Sequence, residues 1–425
     1  MPQTVDFLAE LRWRGMLHEM TEGLDARLAR GPISAYVGFD PTGDSLHAGH
    51  LIPIFGLLHL QRAGGRPVAV LGGGTGMVGD PSGRSAERNL LDDATLASNM
   101  AAIRDQLGRF LDFSPGERGA RLVDNREWLG RYGLLEFLRE IGKHFSLGYM
   151  LAKDSVQLRM ASGISFTEFS YMTLQATDFL HLYRDHGVEL QMGGADQFGN
   201  ITAGLELIRR VLGAAPDGGP RAYGLSFPLL TAPSGKKFGK SEGGETVFLA
   251  RHRTSPYAFY QYWLNSDDRD VGLFLHTLTL YERHEVEALE AAQAAQPDRR
   301  PAQRALAYDL TARVHGPEEA ELQRRVSEAA FSGQPLRDPD VLRVLHEDAG
   351  GFDFGPGALT AFDLAMASGL FASKGELRRA IAQGGVSVDG ARLADAVSPV
   401  GPAIAGQYHV VRHGRRRISV GKRLA

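Results

Sequence analysis

In the run Asp40-Pro-Thr42-Gly-Asp-Ser-Leu-His47-Ala-Gly49-His50, two imidazoles stand three residues apart, between a strand-like stretch and a helix-like one. At that spacing they fall on one side of the first helical turn. Gly49 lets a flat ring approach the backbone. The helix N-terminus adds a positive field where a phosphate can lie. The combination reads as a nucleoside-triphosphate site, although either His alone would more often be a surface or satisfied side chain. Far along the chain, Gly235-Lys-Lys237-Phe-Gly239-Lys240-Ser241 is a glycine-flanked loop with three lysines. Lysine is a mobile point charge suited to phosphates. Standing alone this loop would be merely exposed and basic; pairing with the His-x-Gly-His run makes it informative.

A third feature is the helical stretch Phe166 to Asp178. Tyr171, Gln175 and Asp178 fall at i, i+4 and i+7 and form a polar stripe, opposite Phe169, Met172, Ala176 and Phe179. Such a stripe is usually the wet side of a helix. Without Lys or Arg it also reads as a set of donors and acceptors for a small zwitterion. Gly193-Gly194-Ala-Asp196-Gln197-Phe-Gly199-Asn200 follows a strand end and starts a helix, the place where parallel sheets hold ligands. Asp196 there suits ribose hydroxyls; the alternative is a plain turn. Two other glycine-rich stretches fail their motifs. Gly74-Thr-Gly76-Met-Val-Gly79 matches a dinucleotide fingerprint, but Asp80-Pro81 follows as a turn where a helix is required. Ser234 to Ser241 ends like a P-loop but lacks its first glycine and its helix.

To bring these groups together the chain must alternate strands and helices. Strands are predicted at Ser34–Phe39, Pro67–Leu71, Arg121–Asp124 and Val188–Met192, with helices at Gly49–Ala63, Ala94–Leu111 and Phe166–His186. That alternation implies a parallel sheet with covered faces. From Ser255-Pro256, a helix start, every segment to about 330 reads helical. Residues 331–357, rich in Gly and Pro, read as a linker. Residues 358–425 read as a compact helix-and-strand unit, with Gly385-Val-Ser-Val-Asp-Gly390 a strand ending in a turn.

The 425 residues contain no Cys, which excludes thiolate metal sites, a Cys nucleophile and disulfides. No apolar run reaches the ~18 residues of a membrane span, and the first residues lack an apolar signal core. A cytoplasmic protein with no membrane partner is expected. The net charge of −3 is an average: residues 371–425 hold ten Lys and Arg against three acids, net +7, and the remainder is net −10. A basic tail on an acidic body suggests a polyanion partner, or simply a solvated basic end.

The segments Tyr36-Val-Gly-Phe-Asp40-Pro-Thr42, His47-Ala-Gly-His50, the Tyr171/Gln175/Asp178 helix, Gly193-Gly-Ala-Asp-Gln197 and Lys237-Phe-Gly-Lys-Ser241 together resemble the bacterial tyrosyl-tRNA synthetases, a family of class I aminoacyl-tRNA synthetases. The match runs in order over nearly the whole chain, and the basic end resembles the S4-type RNA-binding domain of those enzymes. The resemblance implies a Rossmann-like α/β catalytic domain over 1–250, an all-helical anticodon-side domain over 251–330, the linker 331–357, and a small α+β S4-like domain over 358–425. It implies that His47 and His50 belong to the HIGH signature and Lys237 and Lys240 to the KMSKS loop, all contacting ATP phosphates with Thr42 nearby. Asp40, Gly49, Gly194, Asp196 and Ser241 would complete the ATP side. Tyr36 and Asp178 would hold the phenol oxygen of L-tyrosine; Asp80, Tyr171 and Gln175 its ammonium group; Gln197 its carboxylate region. Arg415, Arg416, Arg417, Lys422 and Arg423 would grip tRNA(Tyr). ATP would be a co-substrate accompanied by Mg²⁺, with no metal bound by the protein itself, and the enzyme would be a homodimer.

The chain departs from the commoner family pattern in places. Pro53 ends the first helical turn, Arg84 and Arg88 follow Asp80-Pro-Ser-Gly, and Thr177 and Phe198 stand where larger aromatics are common. Thr177 is expected to loosen one wall of the pocket. The reaction implied is attack of the tyrosine carboxylate on the α-phosphate of ATP, then transfer of the tyrosyl group to a ribose hydroxyl of tRNA. The first nucleophile is already ionised, so positioning and charge stabilisation suffice. Rival readings are a tryptophanyl-tRNA synthetase, a nucleotidyltransferase with the same imidazole pair, and a non-catalytic RNA-binding protein. Tyr36 with Asp178 favours a phenol, the basic tail argues against a small-metabolite transferase, and intact His and Lys pairs argue against loss of catalysis.

Overall fold

Ser34-Ala-Tyr-Val-Gly-Phe39 and Arg66-Pro-Val-Ala-Val-Leu71 are largely buried without alternation, as strands covered on both faces must be. The structure, a computed structural model, describes residues 5–80, 91–153, 156–157, 160, 163–229, 238–239, 244–355, 360–414 and 417–424. Arg84, Arg88, Lys237, Lys240, Ser241, Arg415 and Arg416 lie outside the described residues. Among those described, β1 (Glu19–Met20), β2 (Ser34–Phe39), β3 (Arg66–Leu71), β4 (Arg121–Asp124), β5 (Leu190–Gly194) and β6 (Tyr223–Phe227) form one sheet in the order β1-β6-β5-β2-β3-β4. Strands β2 to β6 run parallel, and β1 joins β6 antiparallel. The α/β reading therefore holds. The winding reverses between β2 and β5, which opens a crevice at their carboxyl ends. Register places Tyr36 of β2 beside Gln191 of β5.

Four helices shape that crevice: α1 (Leu51–Arg62), α2 (Asp93–Leu107), α3 (Phe166–His186) and α4 (Phe198–Leu212). Most of α1 is buried, and Pro53 sits in its first turn, where a missing N–H costs least. A Cβ at Gly56 would lie 2.2 Å from the ring of Phe227, so glycine lets α1 close on β6. Ser165 caps α3 by accepting from the Glu168 amide, and Gly187, at φ 65°, ends it.

By contact, the chain divides into residues 1–253 with 267–302, and residues 254–266 with 303–425. This differs from the expected division in two ways. Residues 267–302 group with the sheet rather than with the later helices. Their helix Val271–Leu278 packs on α1, and Arg14, whose side chain is 1% exposed, donates to the carbonyls of His276, Thr279 and Tyr281. The second difference is the expected linker, which contains the helix Pro339–Asp348 and the strand β7 (Phe352–Phe354).

The physical reason lies in the second unit's sheet. It comprises β7, β8 (Val386–Val388), β9 (Ala391–Arg392), β10 (Tyr408–His413) and β11 (Arg417–Arg423), in the order β7-β11-β10-β8-β9. Val411 faces a core with Leu364 and Leu377, whereas Tyr408 and Val410 face another with Val326, Leu342 and Leu345. A sheet apolar on both faces needs cover on both, and helix Pro339–Asp348 supplies one side. The Asp389-Gly390 turn after β8 has positive φ at both residues, 52° and 86°. Arg412 is buried and donates to the carbonyls of Ala330, Ala329 and Gln334. One of the ten tail cations is thus a helix-end staple.

Candidate active site

A cleft of about 970 Å³ opens at the carboxyl ends of the parallel strands in the first unit. Its outer end is built from the turn after β2. His47 Nδ1 accepts the Gly49 amide at 3.1 Å, and His50 Nδ1 accepts the His47 amide at 3.1 Å. The ring centroids are 3.9 Å apart. With each Nδ1 accepting a backbone N–H, a neutral ring carries its proton on Nε2, a donor suited to phosphate oxygens. A Cβ at Gly49 would lie 2.9 Å from the His47 ring. The ring that Gly49 admits is therefore the protein's own. Thr42 and Asp44 line the same end.

Helix α2 holds this turn from behind. Asn99 donates to the Pro41 carbonyl at 3.0 Å, and Gln106 accepts the Leu46 amide at 2.9 Å. From the other side, the Leu249 amide donates to Leu46 and the Ala48 amide to Val247. The Val247 amide in turn donates to the carbonyl of Gly239, within the lysine loop. The ring of Phe238 lies 5.4 Å from that of Phe274. Two stretches remote in sequence are thus joined by backbone hydrogen bonds.

The inner end is a network of buried side chains. Asp178 accepts from Asn125 Nδ2 at 2.9 Å and Trp128 Nε1 at 2.8 Å. Burial nonetheless raises its carboxyl to about 7, with those two donors pulling it down. Asn125 Nδ2 also donates to Thr75 Oγ1, and Thr75 Oγ1 donates to Asp40, which accepts from the Tyr171 hydroxyl at 3.1 Å. The Tyr36 hydroxyl is buried, with no hydrogen-bond partner among the described residues, and so is Gln191 Oε1. Burial, with the nearby charge of Asp178, pushes the Tyr36 phenol well above its usual range.

Between the two ends, Gln197 donates to Asp80 at 2.8 Å, and Asn200 donates to both Gln175 and Gln197. Gly194 ends β5 and Asp196 lies in the turn that follows, both lining the cleft. Asp196 has solvent on one side, but surrounding protein atoms and then the charge of Asp80 push its carboxyl up.

The structure thus brings Tyr36, Asp40, Thr42, His47, Gly49, His50, Asp80, Tyr171, Gln175, Asp178, Gly194, Asp196 and Gln197 into one cleft. Asp40, expected on the ATP side, accepts from Tyr171 and Thr75, which also ties it to the inner network. Thr177, expected to loosen a wall, does not line the cleft: it is buried and donates to the Thr173 carbonyl within α3. Sequence reasoning missed Thr75, Asn125, Trp128, Gln191 and Asn200. Asn125 follows β4 and Thr75 lies just beyond β3, so the strand-end rule points to both. On β11, alternation sets Arg417 and Arg423 on one face and Lys422 on the other.

A doubly wound sheet with an imidazole pair at a helix start and a blind polar pocket beside it defines an enzyme that handles a nucleotide together with a small polar molecule. The family model of tRNA synthetases class I (W and Y) matches residues 28–332, and the chain belongs to that family. A tyrosine–tRNA ligase of Anaeromyxobacter dehalogenans is 52% identical over 98% of this chain and 99% of its own. One from Geobacillus stearothermophilus is 45% identical over 97% and 98%. A C-terminally truncated mitochondrial tyrosyl-tRNA synthetase of Coccidioides posadasii superposes with TM-score 0.67 at 32% identity, covering 76% of this chain and 92% of that one.

Proposed function

We infer that this chain is a tyrosine–tRNA ligase: it activates L-tyrosine with ATP and transfers it to the 3′ end of tRNA(Tyr) in protein synthesis. The observation that carries the reading is the buried Tyr36 hydroxyl, without a hydrogen-bond partner among the described residues and near Asp178, in a cleft that also holds the His47–His50 pair. A phenol entering there would donate to Asp178 and accept from Tyr36. Asp80, Tyr171 and Gln175 would hold the ammonium group, with Asp40 orienting Tyr171 from behind. Gln197 would steer the carboxylate, and Asp196 would take the ribose with Gly194 beside it.

In the first step the carboxylate oxygen attacks the α-phosphorus and pyrophosphate leaves. His47, His50, Lys237 and Lys240 would donate to the oxygens that gain charge, with Thr42, Gly49 and Ser241 near the phosphates. ATP would enter as its Mg²⁺ complex; Mg²⁺ commonly keeps its waters and binds through substrate phosphates. In the second step a ribose hydroxyl of tRNA attacks the adenylate carbonyl and AMP leaves.

The RNA would be gripped through its phosphates by the second unit, with Arg417 and Arg423 as one charged face and Arg415, Arg416 and Lys422 as further contacts. The enzyme would work in the cytoplasm, where ATP and tRNA are found, as a homodimer. Helix Leu134–Glu140 buries none of its residues; Leu134, Leu135 and the distant Phe166 are 73%, 81% and 75% exposed. A second copy would cover such a surface. The decisive experiment is tyrosine-dependent ATP–pyrophosphate exchange, with tryptophan and phenylalanine as controls. Exchange driven by tryptophan instead would overturn the substrate, and none at all would overturn the enzyme.

A further inference from the structure

The turn that carries His47 and His50 has a second anchor that its signature residues do not explain. Asp44, three residues before His47, accepts from His252 Nε2 at 2.8 Å. It also accepts from Arg253 Nε at 2.9 Å, and Arg253 Nη2 lies 2.7 Å from the same carboxylate. Arg253 and His252 hold this carboxyl below the ordinary carboxylate range. Arg253 also stacks over Phe248, its guanidinium carbon 5.7 Å from the ring centre. Phe248 forms an antiparallel bridge with His47. The Ala250 amide donates to Ser45 Oγ at 3.0 Å. Residues 247–253 are thus zipped along residues 44–48, and Val247, at the head of the zipper, accepts from Ala48 and donates to Gly239.

We propose that Asp44, through Arg253 and His252, is a positioning residue that registers the 247–250 segment, and with it Gly239 of the lysine loop, against the His47–His50 turn. An ion pair this exposed adds little to stability by itself. Its effect lies in geometry, since an error of about 1 Å in placed groups costs on the order of 100-fold in rate. The kinetic consequence rests on reading the cleft as an ATP site; the clamp itself does not.

The test uses the full chain with Asp44→Ala, the milder Asp44→Asn, Arg253→Ala and the Asp44→Ala/Arg253→Ala double variant. Hydrogen exchange without substrate is expected to quicken about tenfold at the amides of Ala48 and Leu249, and to stay unchanged at Val68 in β3. In tyrosine-dependent exchange, kcat/KM for ATP should fall about 10- to 100-fold in each Ala variant. Tyrosine Kd should stay within about twofold, and the double variant should be no worse than the worse single one. Asp44→Asn, which keeps an acceptor, should fall between. Unchanged exchange at Ala48 and Leu249 overturns the clamp whatever the substrate. Quickened exchange with wild-type kinetics, or losses that multiply in the double variant, overturns the positioning role. Wild-type protein inert with tyrosine overturns the functional reading alone.

Discussion

The two ends of the cleft are held by different means. At the inner end side chains hold side chains: Trp128 and Asn125 fix Asp178, and Thr75 and Asp40 pass the chain on to Tyr171. At the outer end the backbone holds side chains: amides of residues 47 and 49 orient the two imidazoles, and an exposed ion pair braces their turn. In a buried network each group depends on its partners, so it suits the choice of one molecule and rejection of its neighbours. Imidazoles held by backbone beside a lysine loop suit charge that appears during the reaction. Choice of substrate and speed of reaction should therefore be separable by mutation.

The largest break should come from Asp178→Ala, which leaves the Asn125 and Trp128 donors without their acceptor. Tyrosine kcat/KM in pyrophosphate exchange is expected to fall about a thousandfold, and an unchanged tyrosine KM would remove Asp178 from the substrate site. Lys240→Ala should slow adenylate formation about 100-fold in single-turnover measurements while tyrosine Kd stays put; an equal loss in tyrosine binding would merge the two ends. Tyr36→Phe should weaken tyrosine about tenfold. Its hydroxyl has no partner among the described residues, so the melting temperature should not fall; a drop would show that the hydroxyl is already bonded.

The mildest test is pH. Asp178 titrates near 7 in the free protein, raised by burial. A phenol, protonated below about pH 10, donates to the ionised carboxylate and favours it. Binding below pH 7 then releases a proton, so tyrosine affinity should rise severalfold from pH 6 to 7 and level off above. Asp178→Asn should flatten that slope, measured by calorimetry in two buffers; a slope that survives would belong to another group.

The outer end was the more legible in sequence, because its logic is local: His47, Gly49 and His50 sit within four residues, and a helix start announces them. Half of the inner end was legible too, since Tyr171, Gln175 and Asp178 share one helix face. Thr75 and Asn125 were not, because each contributes one short polar side chain from a different strand end and no period connects them. The 331–357 stretch misled for a related reason. Pro339 and the Gly350-Gly351 pair punctuate it like a linker, yet Pro339 opens a helix whose Val341, Leu342, Val344 and Leu345 are all buried. Punctuation marks where elements begin and stop, whereas the need for cover comes from a sheet some sixty residues later (about the separation of Leu345 from Val410).

Arg14 has a consequence for how the chain is made. The carbonyls that receive its guanidinium lie 262 to 267 residues downstream. At about 5–20 residues per second on the ribosome, the partners arrive tens of seconds after the arginine does. Until then its guanidinium has Glu10, four residues earlier, as a partner, and burial with its remaining donors unmet would be disfavoured. The short helix Phe7–Trp13, which Arg14 ends, is therefore among the last pieces of its unit to settle, and a nascent chain stalled before residue 276 should leave that helix open to protease.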